Sequence, residues 1–457
     1  MLDREIVDKH FNIKGYLHFD RRVHFRNVEN YVTNPKKIMF HSFLPFLHYV
    51  DMSEKFTGKA NPKIENRPIK EKKRKIMYAG HLDGYIYKYY SILVNKDYDI
   101  WASRHKIDNC SLAYRDNKPR QSNIDFSAEI INKIVCFGNA YVLVGDFTDF
   151  FDRLDHRILK NNLIDVLADA KLMENRKLSK DWYNVFRSVT KFGYYDKVEI
   201  NEICGEDQEL WGNKQHRYFK SINELRKYQK EHKAQYNKNS FGIPQGTAIS
   251  GVLANIYSVN FDLELMKIAN QYGGVYNRYS DDFILVIPKA QIVNMGLSEF
   301  NEIESEVRRI AKENKIILQE KKTAKYEYDG SKIVNLENQE DSRVDYLGFV
   351  FDGKSVRMRG KSPYKFYRNA YDLVRRGNRI KRKKNLKKIP YRKQLYLLYT
   401  DLGTELKPYG NFISYAKRSQ EKFDELSPKT KNLMMRQIKN RKRKIEKRLG
   451  IKLHVKI

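Results

Sequence analysis

Gly273-Gly274-Val275-Tyr276-Asn277-Arg278-Tyr279-Ser280-Asp281-Asp282-Phe283-Ile284-Leu285-Val286-Ile287 consists of two apolar arms around a short polar tip. β-Branched and aromatic residues on both sides of Ser-Asp-Asp predict a β-hairpin with adjacent acids at its turn. Neighbouring aspartates repel one another, so a protein that partly buries them generally supplies a cation. An exposed acidic turn is the plain alternative. The apolar arms favour a partly buried tip.

Two other segments carry comparable chemistry. Tyr141-Val142-Leu143-Val144-Gly145 is an apolar run that ends in Asp146-Phe147-Thr148-Asp149-Phe150-Phe151-Asp152. It reads as a buried strand delivering a carboxylate at its C-terminal end. A helix should follow with Phe150, Leu154 and Ile158 on its buried side, and Asp149 also fits the N-cap of that helix. Phe241-Gly242-Ile243-Pro244-Gln245-Gly246-Thr247-Ala248-Ile249-Ser250 reads as a stiff loop presenting Gln245. It runs into a helical pattern through Leu253, Ile256, Tyr257, Leu263 and Met266, an arrangement suited to contacting a nucleotide or template. Asp146, Asp281 and Asp282 together supply hard oxygen ligands for two Mg²⁺ ions about 3.5–4 Å apart, the clamp used for in-line phosphoryl transfer.

The charge profile points the same way. The 457 residues include 88 Lys and Arg against 56 Asp and Glu, a net charge of +32, which most often signals a polyanionic partner. From Arg357 to Ile457 there are 32 basic against 7 acidic residues, so this stretch carries +25 of that total. Aromatic residues from Tyr364 to Tyr415 interleave the charges, as in grooves that neutralise phosphates and stack bases. Leu433, Met434, Ile438, Ile445 and Leu449 can share one helical face, which a solvated tail would not need. Residues 205–240 are polar and read as an insertion or a helical hairpin, and Lys63 to Lys75 as a basic break. No apolar run approaches the 18 residues of a membrane helix, and Cys110, Cys136 and Cys204 are unclustered. A cytoplasmic protein without membrane contact is the expectation. No Walker A, HExxH or Gly-rich dinucleotide turn is present.

Asp146-Phe-Thr-Asp-Phe-Phe-Asp152, Ile243-Pro-Gln-Gly-Thr247 and Tyr279-Ser-Asp-Asp282 resemble, in order, palm motifs A, B and C of reverse transcriptases. Lys322-Thr323 resembles motif D, Tyr346-Leu347-Gly348-Phe349 the primer grip, and Lys72-Lys73-Arg74-Lys75-Ile76 the fingers segment that grasps the triphosphate. The resemblance implies an α+β right-hand polymerase. Fingers would lie in 1–140, a palm in 141–355 with an insertion at about 160–240, and a basic helical thumb in 356–457. It implies Asp146, Asp281 and Asp282 as catalytic metal carboxylates, aided by the backbone at Phe147, and Lys322 as the proton donor to pyrophosphate. Nucleotide contacts would come from Lys72, Lys73, Arg74, Phe147, Asp149, Phe151, Gln245 and Gly246. Phe151 matches the steric gate that excludes a ribose 2′-hydroxyl, although it also fits a core aromatic.

Phe150-Phe-Asp-Arg-Leu-Asp-His156, Ala113-Tyr114-Arg115 and Gly15-Tyr-Leu-His-Phe-Asp20 look most like bacterial enzymes of the abortive-infection and defence-associated (unknown-group) lineage, which is related to retron and group II intron enzymes. That likeness implies two Mg²⁺ ions, dNTPs, an RNA template and a cDNA product. The template would be an associated non-coding RNA and the role anti-phage defence. A homo-oligomer is compatible. The alternative is a group II intron maturase-like protein or a non-catalytic RNA-binding scaffold, which the basic C-terminal region fits equally well.

Overall fold

A computed structural model describes residues 2–56, 69–171, 176–289, 296–403, 410–450 and 452. The chain first lays down a long hairpin, β1 (Phe46–Phe56) and β2 (Ile69–Tyr78), and then β3 (Ala140–Asp146). β4 (Gly193–Asp196) and β5 (Gln235–Tyr236) follow, and after them the hairpin of β6 (Val275–Tyr279) and β7 (Asp282–Pro288). β8 (Ala324–Tyr328), β9 (Ile333–Asn335), β10 (Val344–Tyr346), β11 (Phe349–Phe351), β12 (Ser355–Met358) and β13 (Lys431–Asn432) complete the described strands. Helices occupy most of the intervening chain, giving a mixed α and β architecture.

The central sheet has the order β6-β7-β3-β8-β9 and every neighbouring pair is antiparallel. β3 and β7 lie inside it, covered on both faces, which is why both read as continuous apolar runs. Because side chains alternate along a strand, the two faces feed two cores. Tyr141, Leu143, Phe283, Leu285 and Ile287 join the first, with Ile256, Phe261 and Phe300 from the helices Ser250–Tyr257, Val259–Gln271 and Leu297–Glu313. Val142, Ile284 and Val286 join the second, with Ile130, Ile131 and Ile134 from the helix Asn123–Phe137.

Gly145 is where this sheet admits only one residue. It pairs with Phe283, and a Cβ at Gly145 would lie 2.2 Å from the Phe283 ring. Gly145→Ala should therefore destabilise the fold by about 1–3 kcal/mol through overpacking. A shift in urea midpoint with unchanged slope is the readout.

Three expectations change in detail. The single helix after β3 is two, Phe150–Arg153 and His156–Ala170. Leu154 is extended, and Asp155 caps the second helix by accepting from the N–H groups of Arg157 and Ile158 at 3.0 and 3.1 Å. The apolar C-terminal stripe is likewise broken, into Met434–Ile438 and Arg441–Leu449, although Met434, Ile438 and Ile445 are all buried. The interleaved aromatics are largely core. Phe366 and Tyr399 are buried, and Tyr367, Phe412 and Tyr415 pack against the second core. The basic C-terminal region thus belongs to the same core as one face of the central sheet, and parallel pairing of β12 with β13 ties it into a second sheet of order β10-β11-β12-β13.

Residues 205–240 carry a small core of their own. Leu210, Tyr218, Phe219, Leu225 and Tyr228 pack on Leu47 and Tyr195, beside a sheet of order β2-β1-β4-β5. Of the Lys63–Lys75 break, residues 63–68 lie outside the described residues. Among the described residues no helix is long and apolar enough to cross a membrane.

Candidate active site

Pairing of Tyr279 with Asp282 leaves Ser280 and Asp281 as a two-residue loop between β6 and β7. Ser280 takes a φ of +60°, a left-handed conformation that costs a non-glycine residue about 1–2 kcal/mol. Arg278 helps hold the turn there, since its Nη1 donates to the Ser280 carbonyl at 3.0 Å. The Arg278 guanidinium is fully buried and forks onto Asp262, with Nε to Oδ1 at 2.7 Å and Nη2 to Oδ2 at 2.6 Å. Tyr276 Oη also donates to Asp262 Oδ1, at 2.7 Å. Burial works against the guanidinium charge, but Asp262 outweighs it and keeps Arg278 protonated well above the ordinary range. A paired charge of this kind is tolerable in an apolar interior only because every donor finds an acceptor.

The turn meets the end of β3. Asp146 pairs with Asp282 across β3 and β7, so the two side chains share one face of the sheet. The Phe147 N–H donates to the Asp281 carbonyl at 2.9 Å, tying the loop to the strand. Three carboxylates therefore stand at one sheet end. Burial pushes the Asp282 carboxyl up to about 7, and Asp281 and Asp146 add to the rise. Burial also raises Asp281; its own backbone N–H opposes this, Asp146 reinforces it, and the charges of Lys322 and Lys72 oppose it in turn. Lys322 Nζ donates to Asp146 Oδ2 at 2.6 Å.

This donor set fits a divalent cation. It offers only hard oxygens, and the mutual repulsion that raises Asp282 is what a cation would relieve. Among the described residues, no group of three or more His, Cys, Asp or Glu side chains stands as a ready-made metal cage. Asp146 is instead engaged by Lys322, which would have to yield one carboxylate oxygen.

The other candidate residues surround this end of the sheet unequally. Lys72, Lys73 and Arg74 are exposed on β2. That strand is joined to the Pro-Gln-Gly loop, because the Met77 N–H donates to the Gln245 carbonyl at 2.8 Å. Gly246 has φ +119°, and a Cβ there would lie 2.6 Å from the Met77 carbonyl oxygen. The close backbone approach at Gly246 is thus toward β2. Gln245 and Phe151 are half-buried, and the Ile243 N–H donates to the Phe151 carbonyl at 2.9 Å. The Phe147 ring is buried between Phe150, Phe261 and Phe283, leaving its backbone as the part beside the acids.

Asp149 sits at the N-cap position with φ +49°, yet its side chain caps nothing and stays largely exposed. Leu347 and Gly348, with φ +46° and +96°, form the tight turn between Tyr346 and Phe349. Asn123 Nδ2 donates to the Leu347 carbonyl at 2.9 Å. The Arg359 N–H donates to the Gly348 carbonyl at 2.7 Å, and the Arg359 charge acts on Asp282, so this turn neighbours the acids. Sequence reasoning did not single out Arg278 or Asp262. The available signal was an arginine inside an apolar strand arm and an aspartate on the apolar face of the helix Val259–Gln271.

The sequence pattern of the family described as reverse transcriptase (RNA-dependent DNA polymerase) matches residues 106–351, more than half of the chain. The chain belongs to the reverse transcriptase family. The match spans Asp146, Gln245, Asp281, Asp282 and Lys322, whereas Lys72–Arg74 and the basic C-terminal region lie outside it. Membership brings the general activity of that superfamily, nucleotidyl transfer, and an association with nucleic acid. No curated protein matches this reverse transcriptase-family chain. Telomerase from Candida albicans in complex with a fragment of telomeric RNA is similar in structure at 11% identity and a TM-score of 0.41, covering 93% of this chain and 67% of that one. Apo telomerase from Candida tropicalis gives 12% identity and 0.41, covering 97% and 67%. At such scores the likeness adds nothing to the family assignment.

Proposed function

We propose that this chain is an RNA-directed DNA polymerase with fingers in 1–140, a palm in 141–355 and a basic helical thumb in 356–457. The observation that carries the reading is the register of Asp146 against Asp282, with Asp281 on the adjoining turn. Asp146, Asp281, Asp282 and the Phe147 backbone would hold two Mg²⁺ ions, which when bound supply charge stabilisation for in-line nucleotidyl transfer. Lys322, whose Nζ donates to Asp146, would give a proton to the leaving pyrophosphate. Lys72, Lys73 and Arg74 neutralise the triphosphate, and Asp149, Gln245 and Gly246 line it. Phe151 stands against the sugar and excludes a 2′-hydroxyl. Tyr346, Leu347, Gly348 and Phe349 position the primer end.

The substrates are then dNTPs, the template RNA and the product cDNA. That the template is an associated non-coding RNA, and the setting bacterial anti-phage defence in the cytoplasm, rests on the resemblance of the Phe150–His156, Ala113–Arg115 and Gly15–Asp20 segments.

Purified protein with its co-purified RNA should incorporate labelled dNTPs in Mg²⁺ and leave NTPs largely unused. Asp281→Ala with Asp282→Ala should incorporate neither. Phe151→Ala should reduce the preference for dNTPs over NTPs by about tenfold or more. Equal activity in the double variant, or equal use of NTPs by wild type, would sink the reading. For the biological role, cells carrying wild type should resist phage that kill cells carrying the double variant; equal survival would remove the defence assignment.

A further inference from the structure

A cavity of about 380 Å³ lies beside the Pro-Gln-Gly loop, between the N-terminal segment, the end of β2 and the start of the helix His81–Arg104. Lys9, His10, Lys14 and Lys88 line it, with Gly246 and Thr247 in the wall. Lys88 is half-buried, and among the described residues its ammonium has no hydrogen-bond or ion-pair partner. Burial lowers its proton affinity; Asp116 opposes this, while Lys14 and Lys9 deepen it. A partly desolvated ammonium beside like charges is stabilised by an anion that completes it.

A second observation points into the same space. His81 is 5% exposed and lines the cavity, and among the described residues its Nε2 has no hydrogen-bond partner. Two carboxylates bear on the cavity. Asp20 accepts from the backbone N–H groups of His81 and Leu82, both at 2.9 Å, which orients its carboxylate on the helix start while its charge still acts on His81. Asp116 is the other, and it acts on both Lys88 and His10. Lys9, Lys14, Lys88 and Arg22, the last acting on His81, set against Asp20 and Asp116 leave an excess of about two positive charges. That excess matches a terminal phosphate, which is dianionic or more, better than a singly charged phosphodiester.

The adjoining cavity of about 320 Å³ shares Lys88, Thr247 and Ala248 with the first. Asn95 lines it and is 4% exposed, and its side-chain oxygen has no hydrogen-bond partner among the described residues. A buried amide oxygen without a donor is a recognition point for an N–H group such as the exocyclic amine of a base.

We propose that the two joined cavities form a binding site for a phosphate-terminated nucleotide, with the phosphate held by Lys9, Lys14, Lys88 and His81 and the base against Asn95. It lies apart from the Lys72–Arg74 segment assigned above to the incoming triphosphate, with Gly246 on the wall between the two, and it stands whether or not the chain polymerises DNA. The ligand comes from either the 5′ end of an RNA or a free nucleoside triphosphate.

The test is fluorescence anisotropy on the full chain, using one short RNA with a 5′-triphosphate, a 5′-monophosphate or a 5′-hydroxyl, and separately a fluorescent ATP. Phosphorylated ends should bind about tenfold more tightly than the hydroxyl end. Lys88→Met and the exposed-site variant Lys14→Gln should each erase that difference, with affinity for 5′-hydroxyl RNA and melting temperature unchanged. End discrimination that excess ATP does not disturb identifies an RNA end. Fluorescent ATP binding that Lys88→Met removes, without end discrimination, identifies a free nucleotide. Equal affinity for all three RNAs together with no ATP binding sensitive to Lys88→Met overturns the site, as does full discrimination retained in both variants.

Discussion

Asp282→Asn is expected to reduce nucleotide incorporation on the order of 10³-fold or more while raising the melting temperature of the metal-free protein at pH 8. The two effects share one cause. Burial and the neighbouring Asp281 and Asp146 push the Asp282 carboxyl up to about 7, so the native state disfavours its charge. A carboxyl with a folded-state pKa above its unfolded value binds protons more strongly when folded. Its contribution to stability therefore falls as pH rises from about 4 through about 7, and is wholly unfavourable above that. Asparagine removes the penalty, which is at most about 4 kcal/mol if the full rise is converted. The gain should vanish below about pH 4. Mg²⁺ in the millimolar range should raise the melting temperature of wild type and leave Asp281→Asn with Asp282→Asn unmoved, because the cation then has no carboxylates on the turn. A melting temperature at pH 8 that is equal or lower in Asp282→Asn would contradict this electrostatic account. Thermal melts across pH 4–8, with and without EDTA, supply the numbers.

Arg278→Met should destabilise the fold by about 3–5 kcal/mol, because Asp262 would remain buried without its counter-charge. The pair's partners extend the damage. Arg278 Nη1 also reaches Asn255 Oδ1 at 3.3 Å and Nη2 reaches Ser111 Oγ at 3.2 Å, so one substitution frees several buried groups. Combining Arg278→Met with Asp262→Leu should recover much of the stability, since neither charge is then stranded. Activity should not return with it. The Ser280 carbonyl still lacks its donor, and the strained φ of +60° that aims the Asp281–Asp282 turn loses its support. Urea unfolding and incorporation assays on the two single variants and the double variant separate the outcomes. A change under about 0.5 kcal/mol in Arg278→Met, or full activity in the stable double variant, would show that the pair does not position the turn.

Much of this site could be read along the chain because its parts are local. A run of apolar residues closed by Asp146, and apolar arms around Ser280-Asp281, specify a strand end and a hairpin turn through backbone preference alone. The Pro-Gln-Gly loop leading into a helix is local in the same sense. Other features were illegible for a physical reason. A Phe in a helix looks the same whether it stacks on a base or fills a core, and Phe366 and Tyr399 proved to be core because other helices bring Phe412 and each other against them. Arg278 was one charge among 88 Lys and Arg residues, and nothing in its neighbours along the chain says that Asp262 awaits it.

Sequence by itself determined the strand-end acid, the Asp-Asp turn and the segregation of positive charge toward the C-terminus, because each depends on residues within a few positions of one another. Only the tertiary structure decided that Asp146 faces Asp282, that Lys322 reaches Asp146, and that Arg278 is buried on Asp262. The same holds for the cavity that gathers Lys9, Lys14 and Lys88. Most of these join residues far apart in the chain, up to 176 positions for Lys322 and Asp146, and their energies arise from burial, which a residue acquires only from the neighbours the whole fold brings to it.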